Sequence, residues 1–562
     1  MRSRRASNQA RGSFARSAWA GGGPACAVSV MVEPFSMSDR RAANRLSPSR
    51  ASAKLPHGQG RNGRGLGGRA PLRLSSAFPA LGPATLSMTD TLTSLRDARQ
   101  REDLHAMSIE ARRLNEAAPD LKGGWGEVAQ IALDAGDTLA AVAAAGRLME
   151  ALPDSPDARL WMVAALSEAE DFAGAIQTLQ PLYDADPRDG ALSRRLGFLL
   201  LDGGAAETAE QAFRQALAAD GRDALAWEGL SRAKTFASGD DDLALMEEAR
   251  LGYDETVPAE QRGILSYAIA KAYEDLGELD IAARRAAEGA AFYRASAPFD
   301  TAYHEAGVGH ILSVFDETLK GAGQGVGADD DRPVFIIAPP GAGARWVART
   351  LAAGEGAFAL PRGNGLFWMS GAALGDHSLE AMKAALTTPG EDNAVSIVGR
   401  NYLSYAGEWA GEAVRIIDPA TLNELTAGTI GMALPKARFI RIRRDPRDLA
   451  WSVFKHRYRK ARHWTYHASD IAKILALHDR LCARWETLFG DRMTTVSYEN
   501  LASDPATVIG ELARFAGTDP AAAAARASET AGPLLSDPPG QAERIGPRFE
   551  TLEAALQREG LV

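Results

Sequence analysis

The chain has 562 residues, of which 46% are hydrophobic and 24% are charged, a composition typical of soluble globular proteins with several domains. It contains no run of about 18 apolar residues, so we expect no membrane span. Its two cysteines, Cys26 and Cys482, lie far apart in the sequence. This spacing argues against a disulfide framework or a cysteine-based metal site and predicts a reducing, cytoplasmic location.

Residues 1–87 differ in composition from the rest of the chain. They contain 14 Lys and Arg residues against 2 Asp and Glu residues, and this balance of +12 leaves −21 for the remainder of a chain whose net charge is −9. A segment rich in Arg, Ser, Gly and Pro without apolar periodicity buries too little surface to offset its ordering entropy, so we predict a disordered basic leader. Three interpretations stay open: a targeting presequence, an arm for a membrane surface or nucleic acid, or sequence translated from upstream of a start at Met88. We do not expect a nucleic-acid partner.

Segment boundaries then recur every 34 residues. The boundary residues are Pro119, Pro153, Pro187 and Gly221, and the same spacing is kept midway by Gly136, Glu170 and Gly204. A period of 34 with one break in the middle and one at the end is typical of a helix-turn-helix repeat. The pattern resembles the tetratricopeptide repeat family. It predicts an α-solenoid over residues 88–318 whose concave surface is suited to a protein or peptide.

The pattern changes after the predicted repeats. Residues 319–332 contain a glycine-rich run, Gly321–Gly327, and are predicted to form a linker. From Pro333 onward, short apolar runs alternate with helical patterns, and the predicted strands cover residues 333–338, 413–417, 438–443 and 493–498. This alternation predicts a parallel α/β sheet in residues 333–562, with its ligands beyond the carboxyl ends of the strands.

Two strand ends of this domain are suited to phosphate groups. The first strand is followed by the glycine turn Pro340–Arg345 and then by a helix, whose start presents free backbone N–H groups. The turn lacks the Gly-Lys-Ser/Thr ending of a nucleoside-triphosphate P-loop, which argues against an ATPase or GTPase. A later strand is ended by Asp445-Pro446, which places Arg443 and Arg444 at a second strand-to-helix turn. The alternative for these arginines is a solvated basic strand end.

These motifs resemble the sulfotransferases that use 3′-phosphoadenosine 5′-phosphosulfate (PAPS), in particular bacterial members with tetratricopeptide repeats in front. The segment Phe439–Asp448 with Ser452 is similar to the family's 3′-phosphate-binding segment, and this resemblance implies that Arg444 and Ser452 bind the 3′-phosphate. The segment beginning at Tyr498 resembles the family's Tyr-Glu-Asp-Leu segment and implies that this tyrosine lies near the adenine. A buried strand-end aromatic is a compatible alternative for Tyr498.

The loop for the 5′-phosphosulfate departs from the family's pattern, because Gly341, Ala342, Ala344 and Arg345 stand where the family has Arg, Ser and two Thr residues. We predict that Gly341, Gly343 and Ala344 bind the donor through backbone N–H groups and that Arg345 adds a cation. At the second strand turn, this chain keeps the family's Asp and Asn as Asp418 and Asn423 but lacks the family's lysine. Candidate replacement cations are Arg345, Arg349, Arg362 and Arg400, and candidate bases are Asp376, His377, Asp418, His456, His463 and His467. No catalytic residue is assigned.

The resemblance implies an enzyme that moves a sulfuryl group from PAPS, without a metal, to a hydroxyl or phenol on a peptide, glycan or lipid. The solenoid is expected to present the protein, peptide or glycan acceptor. A catalytically impaired repeat scaffold for protein interactions is the alternative. Each charge-assisted hydrogen bond is worth roughly 1.5–3 kcal/mol, so loss of the family's Lys and Arg without replacement would slow the transfer strongly. The acceptor, the base and the oligomeric state are not predicted.

Overall fold

A computed structural model describes residues 88–101, 103–296, 299–319, 327–361, 384, 393–420, 423–458, 463–532 and 537–562. The predicted leader and residues 320–326 of the predicted linker lie outside these ranges, and so do the candidates Arg362, Asp376 and His377. None of the helices in the described ranges combines the length and the apolar composition that crossing a bilayer requires.

The first half of the described chain is helical. Its helices are α1 (Met88–Gln100), α2 (Leu104–Ala117), α3 (Trp125–Ala135), α4 (Thr138–Ala151), α5 (Pro156–Glu168), α6 (Phe172–Ala185), α7 (Gly190–Asp202), α8 (Ala206–Ala219), α9 (Ala224–Ala233), α10 (Asp241–Leu251), α11 (Ala259–Asp275), α12 (Leu279–Ser296) and α13 (Thr301–Val314). Short 3-10 helices occupy Lys122–Gly124 and Glu317–Leu319. The predicted solenoid of helix pairs is confirmed, and the starts of α5, α7 and α9 are each 34 residues apart.

The repeat spacing has a local cause at each helix start and turn. Ser155, Asp189 and Asp223 precede α5, α7 and α9, and each side chain accepts a backbone N–H of the first turn as an N-cap. The midway breaks adopt left-handed backbone conformations, with φ of 79° at Gly136 and 58° at Glu170. Glycine suits this conformation because it has no Cβ, so Glu170 carries a strain that glycine avoids.

The second half is a parallel sheet covered by helices, which confirms the predicted α/β class. The strands are β1 (Pro333–Ile337), β2 (Ala357–Ala359), β3 (Arg415–Asp418), β4 (Arg438–Arg443) and β5 (Met493–Ser497), in the order β2-β3-β1-β4-β5. The helices are α14 (Ala344–Leu351), α15 (Ala394–Ala410), α16 (Asn423–Ala433), α17 (Pro446–Phe454), α18 (Ala468–Phe489), α19 (Tyr498–Ser503), α20 (Pro505–Ala516), α21 (Pro520–Thr530), α22 (Gln541–Ile545) and α23 (Glu550–Arg558). Further 3-10 helices cover His463–Tyr466, Gly490–Arg492 and Gly546–Phe549. The three-residue strand β2 was not predicted.

Two kinds of contact join the solenoid to the sheet domain. Tyr267 of α11 and Ala286 of α12 share a hydrophobic cluster with Trp451 of α17 and Leu556 of α23. Ion pairs join Arg112 to Glu408, Glu170 to Arg345 and Arg349, Glu228 to Arg457, and Glu274 to Lys455. These contacts place the solenoid directly against the edge of the sheet where the phosphate site is predicted.

Candidate functional site

The turn between β4 and α17 is built by the Asp-Pro step. Asp445 is the N-cap of α17 and accepts the backbone N–H groups of Arg447 at 2.8 Å and Asp448 at 3.3 Å, while Pro446 occupies the first helical position. The two arginines before this cap diverge in environment. Arg443 is exposed, whereas the side chain of Arg444 is 0% exposed. A buried guanidinium needs anionic or carbonyl partners, so Arg444 is part of a built site and not a solvated strand end.

The glycine turn after β1 contacts this arginine directly. Gly341 has a φ of 85° and Gly343 a φ of 82°. The NH1 group of Arg444 donates to the carbonyl oxygen of Gly341 at 2.6 Å. A Cβ atom added at Gly341 would lie 2.7 Å from Oγ of Ser452, so a glycine is required here by both conformation and space. The structure thus brings the two predicted phosphate-binding turns together.

Four side chains converge next to this loop, and we call Arg444, Ser452, Lys455 and Tyr498 the anion cradle. The guanidinium of Arg444 lies 4.2 Å from the ring centroid of Tyr498, a cation-π contact. Lys455, the C-cap residue of α17, follows Ser452 by three residues and therefore lies on the same face of the helix. Nε of Arg444 is buried and has no hydrogen-bond partner in the described part of the chain.

A carboxylate occupies the anion cradle. Oδ2 of Asp537 lies 2.6 Å from NH1 of Arg444 and 2.6 Å from Oγ of Ser452, and its Oδ1 lies 2.8 Å from Nζ of Lys455. The backbone carbonyl of Asp537 accepts from the hydroxyl of Tyr498 at 2.9 Å. Although burial opposes ionisation, Lys455 and Arg444 hold the pKa of Asp537 well below its usual range. The anion cradle therefore binds a fully ionised oxyanion in this structure.

Sequence reasoning did not predict Lys455 or Asp537. Lys455 had a usable signal, because a basic residue one helical turn after Ser452 faces the same ligand. Asp537 had none, since it lies 82 positions further along the chain, in a segment without regular structure. Tyr498 stays a predicted neighbour of the adenine; in the structure its ring lies against Arg444, and its hydroxyl donates to the backbone carbonyl of Asp537.

The predicted 5′ side of the site is linked to the solenoid. NH2 of Arg345 lies 2.7 Å from Oε1 of Glu170, and NH2 of Arg349 lies 2.7 Å from Oε2 of the same carboxylate. Arg345 is in the first turn of α14, directly after the glycine turn, and its side chain is 34% exposed. Ala344 begins this helix. Of the other candidate cations, Arg400 is exposed on α15.

The acidic candidate base Asp418 is buried at the carboxyl end of β3. Its Oδ2 accepts from the hydroxyl of Tyr402 at 3.2 Å, and its Oδ1 accepts from the backbone N–H of Ala420 at 2.8 Å. Burial raises the pKa of the Asp418 carboxyl to about 6. Asn423 donates to the backbone carbonyls of Asp418 and Ile336. The two residues that this turn shares with the sulfotransferase pattern therefore hold the ends of β1 and β3 together.

The histidine candidates differ in position. His456 borders the cleft described below, and its Nδ1 lies 2.6 Å from the backbone carbonyl of Ser452. Nδ1 is therefore assigned the proton, which leaves Nε2 as an acceptor. The surrounding protein and the charge of Lys455 lower the pKa of His456, so its imidazole is neutral near pH 7. His467 instead contacts Oγ of Ser469 at 2.8 Å, and His463 lies in a 3-10 helix with its pKa lowered by partial burial.

A cleft of about 1040 Å³ separates the solenoid from the sheet domain at this site. The residues that border it include Glu228, Lys234, Lys271 and Glu274 from the solenoid, and Gly341, Gly343, Ser452, Lys455, His456, Tyr498 and Asp537 from the sheet domain. The cleft is large enough for a drug-sized ligand or more. Within the described ranges, no group of three His, Cys, Asp or Glu side chains is arranged to hold a metal ion.

Two known families match separate parts of the chain. Residues 333–521 match the sulfotransferase family, and residues 132–187 and 166–233 match the tetratricopeptide repeat. One chain therefore carries both matches, the tetratricopeptide repeat followed by the sulfotransferase family, as the sequence motifs predicted.

Individual relatives are distant. An uncharacterised protein of Aquifex aeolicus is 23% identical over 270 residues, which cover 46% of this chain and 35% of that protein. The match thus spans about a third of the relative's length. Among solved structures, a sulfotransferase from Alicyclobacillus acidocaldarius is 16% identical with a TM-score of 0.25, covering 41% of this chain and 96% of its own. A sulfotransferase from Mycobacterium tuberculosis has the same identity and TM-score, covering 56% and 99%.

Proposed function

We propose that this protein is a sulfotransferase that moves a sulfuryl group from PAPS to a hydroxyl or phenol on a peptide, glycan or lipid. One observation carries the proposal: Arg444, Ser452 and Lys455 converge beside the Gly341 turn on an oxyanion. Two cations and a hydroxyl around one oxyanion are suited to a phosphate monoester, and they lie where the family's 3′-phosphate segment is predicted. We place the reaction in the cytoplasm, the compartment that the sequence predicted.

The donor is proposed to lie along the sheet edge between two anchors. The anion cradle holds its 3′-phosphate, while the backbone N–H groups of Gly341, Gly343 and Ala344 hold its 5′ end at the start of α14. Arg345 contributes a cation to that end by exchanging its bond to Glu170 for the ligand. Tyr498 then borders the adenosine.

The acceptor is proposed to enter the cleft from the solenoid side. Its oxygen attacks the sulfur, the bond between sulfur and the 5′-phosphate oxygen breaks, and the acceptor's proton passes to a base. We propose Nε2 of His456 as this base, because the imidazole borders the cleft beside Ser452 and is neutral near pH 7, which leaves Nε2 as an acceptor. The products are a sulfated acceptor and adenosine 3′,5′-bisphosphate.

Calorimetry with adenosine 3′,5′-bisphosphate tests the donor site. The unsubstituted protein is expected to bind it, and Arg444→Ala is expected to weaken binding by a factor of ten or more, since a buried charge-assisted pair is lost. Arg443→Ala is the matched control, because this neighbouring arginine is exposed, and it should leave the affinity within about twofold. Equal affinities of Arg444→Ala and the unsubstituted protein would refute the proposed donor site.

A repeat scaffold with an impaired sulfotransferase domain is the second candidate. It is favoured by the side chains of the glycine turn, where Ala342 and Ala344 offer no hydroxyl donors to the 5′ end. Transfer of labelled sulfate from PAPS to fractions of a cell extract distinguishes the two candidates. Transfer that is lost in His456→Ala supports the enzyme, whereas bisphosphate binding without transfer to any fraction supports the scaffold.

A further inference from the structure

We infer that Asp537 is an internal competitor of the donor: its carboxylate occupies the place of the 3′-phosphate, and the ligand binds only by displacing it. The inference rests on the proposed function, because it takes the anion cradle as the 3′-phosphate site. It concerns a residue that lies outside the motifs of that site and outside residues 333–521, which match the family.

The contacts of Asp537 use the donors that a phosphate needs. Its two carboxylate oxygens bind Arg444, Ser452 and Lys455 at 2.6–2.8 Å, and its backbone carbonyl binds NH2 of Arg444 at 3.2 Å and the hydroxyl of Tyr498. All three charged side chains are largely buried, with exposures of 14% for Asp537, 0% for Arg444 and 6% for Lys455. A phosphate and this carboxylate cannot share the same buried donors.

The chain around Asp537 holds the competitor in place. Asp448, four residues after Arg444, accepts the backbone N–H of Gly540 at 2.6 Å and that of Ala542 at 2.9 Å. The 3′-phosphate segment itself therefore anchors the start of α22, four residues beyond Asp537. This anchor is independent of the anion cradle, so α22 can keep its position when the carboxylate leaves.

The charges favour exchange over simple loss of the carboxylate. Without Asp537, Arg444 and Ser452 would be left buried with few acceptors, which is costly. A phosphate monoester supplies three acceptor oxygens and close to two negative charges, more than one carboxylate does. Nε of Arg444, which is buried without a partner among the described residues, gains one of these oxygens as an acceptor. The exchange thus retains the ion pairs and satisfies an additional donor.

Calorimetry on the full chain tests the inference with two substitutions that each remove one negative charge. Asp537→Asn keeps the shape of the side chain but not the charge, and it is expected to bind adenosine 3′,5′-bisphosphate at least tenfold more tightly than the unsubstituted protein. Asp491→Asn is the control. Asp491 is exposed and precedes β5, whereas Tyr498 of the anion cradle directly follows β5, so Asp491 and the anion cradle lie at opposite ends of this strand. It should change the affinity by less than twofold. Adenosine 5′-monophosphate, which lacks the 3′-phosphate, should gain nothing from Asp537→Asn.

The outcomes separate the inference from the proposed function. If the unsubstituted protein binds the bisphosphate and Asp537→Asn binds it equally or more weakly, the inference fails while the donor site stands. If neither protein binds, the proposed function fails and the inference falls with it. A crystal structure of the unsubstituted protein with the bisphosphate bound avoids any folding defect of the variant: the carboxylate of Asp537 should lie away from Arg444 while α22 stays in place, and a carboxylate still bonded to Arg444 beside the bound ligand would overturn the inference.

Discussion

The carboxylate of Glu170 lies 2.7 Å from the guanidinium of Arg345, a contact that joins a repeat turn to the helix after the glycine turn. Glu170 has a φ of 58° at the position where the flanking repeats have Gly136 and Gly204. A left-handed conformation costs a non-glycine residue on the order of 1 kcal/mol or more. The ion pairs with Arg345 and Arg349 offset this strain and hold the solenoid against the predicted 5′-phosphate site.

We predict that Arg345→Ala weakens binding of adenosine 3′,5′-bisphosphate about tenfold and leaves binding of adenosine 3′-monophosphate within twofold. The reason is that Arg345 is proposed to bind only the 5′ end, and one charge-assisted hydrogen bond accounts for roughly this factor. Calorimetry with the two ligands measures the difference. Arg349→Ala is the matched control, since Arg349 binds the same carboxylate one turn later and should leave both affinities nearly unchanged. An equal loss for both ligands would contradict a role at the 5′ end.

A second prediction concerns the glycine turn. Gly341→Ala should lower the free energy of unfolding by roughly 2 kcal/mol and weaken bisphosphate binding at least tenfold, because a Cβ atom is disfavoured at a φ of 85° and displaces Oγ of Ser452, 2.7 Å away. Chemical denaturation and calorimetry measure the two effects.

Gly490→Ala serves as the control for that substitution. Gly490 has a φ of 52°, and an added Cβ would meet no atom within 4 Å. Its replacement should therefore destabilise the protein through backbone strain alone and leave binding unchanged. Equal binding by Gly341→Ala and the unsubstituted protein would show that this turn does not position Ser452.

The sequence was sufficient to predict the fold class because both halves have strong local periodicity. The N-caps Ser155, Asp189 and Asp223 repeat at the 34-residue spacing, so one repeat predicts the next. The continuous apolar run of β1 is enough to predict a buried strand, and the Asp-Pro step after β4 is enough to predict the end of a strand and the start of a helix. The strand β2 was not predicted, because three residues are too few to show a hydrophobic period, and this edge strand is defined by its pairing with β3.

The site was only partly predictable, for a physical reason. Arg444 and Ser452 lie on one strand-turn-helix unit, where spacing along the chain determines proximity. Glu170 and Glu274 come from the solenoid, so their contacts depend on how it packs on the sheet domain. Asp537 belongs to the sheet domain but lies 82 positions after Lys455, so spacing along the chain does not predict its contact. A motif predicts the side chains that its own turn brings together, but it does not predict which acceptor a distant segment places against them.

The last prediction follows from the buried carboxyl at the end of β3. The pKa of Asp418 is about 6 in the folded protein, above its value of about 3.9 in an unfolded chain, so the folded state holds the extra proton between these values. Stability from this residue is therefore present near pH 4 and is lost as the pH rises through 6, by on the order of 3 kcal/mol. Asp418→Asn carries no titrating group, so its stability relative to the unsubstituted protein should improve by that amount between pH 4 and pH 7.

Urea denaturation at pH 4 and pH 7 measures the free energy of unfolding of Asp418→Asn relative to the unsubstituted protein. Asp491→Asn, a substitution at an exposed position, is the control, and its relative stability should differ little between the two pH values. The hydrogen bonds from Tyr402 and Ala420 oppose the raised pKa, because both favour the ionised carboxylate. Parallel pH profiles for Asp418→Asn and the unsubstituted protein would mean that the hydrogen bonds to the carboxylate cancel the effect of burial on its pKa. In that case Asp418 is ionised at pH 5 in the folded state and contributes nothing to the loss of stability between pH 4 and pH 7.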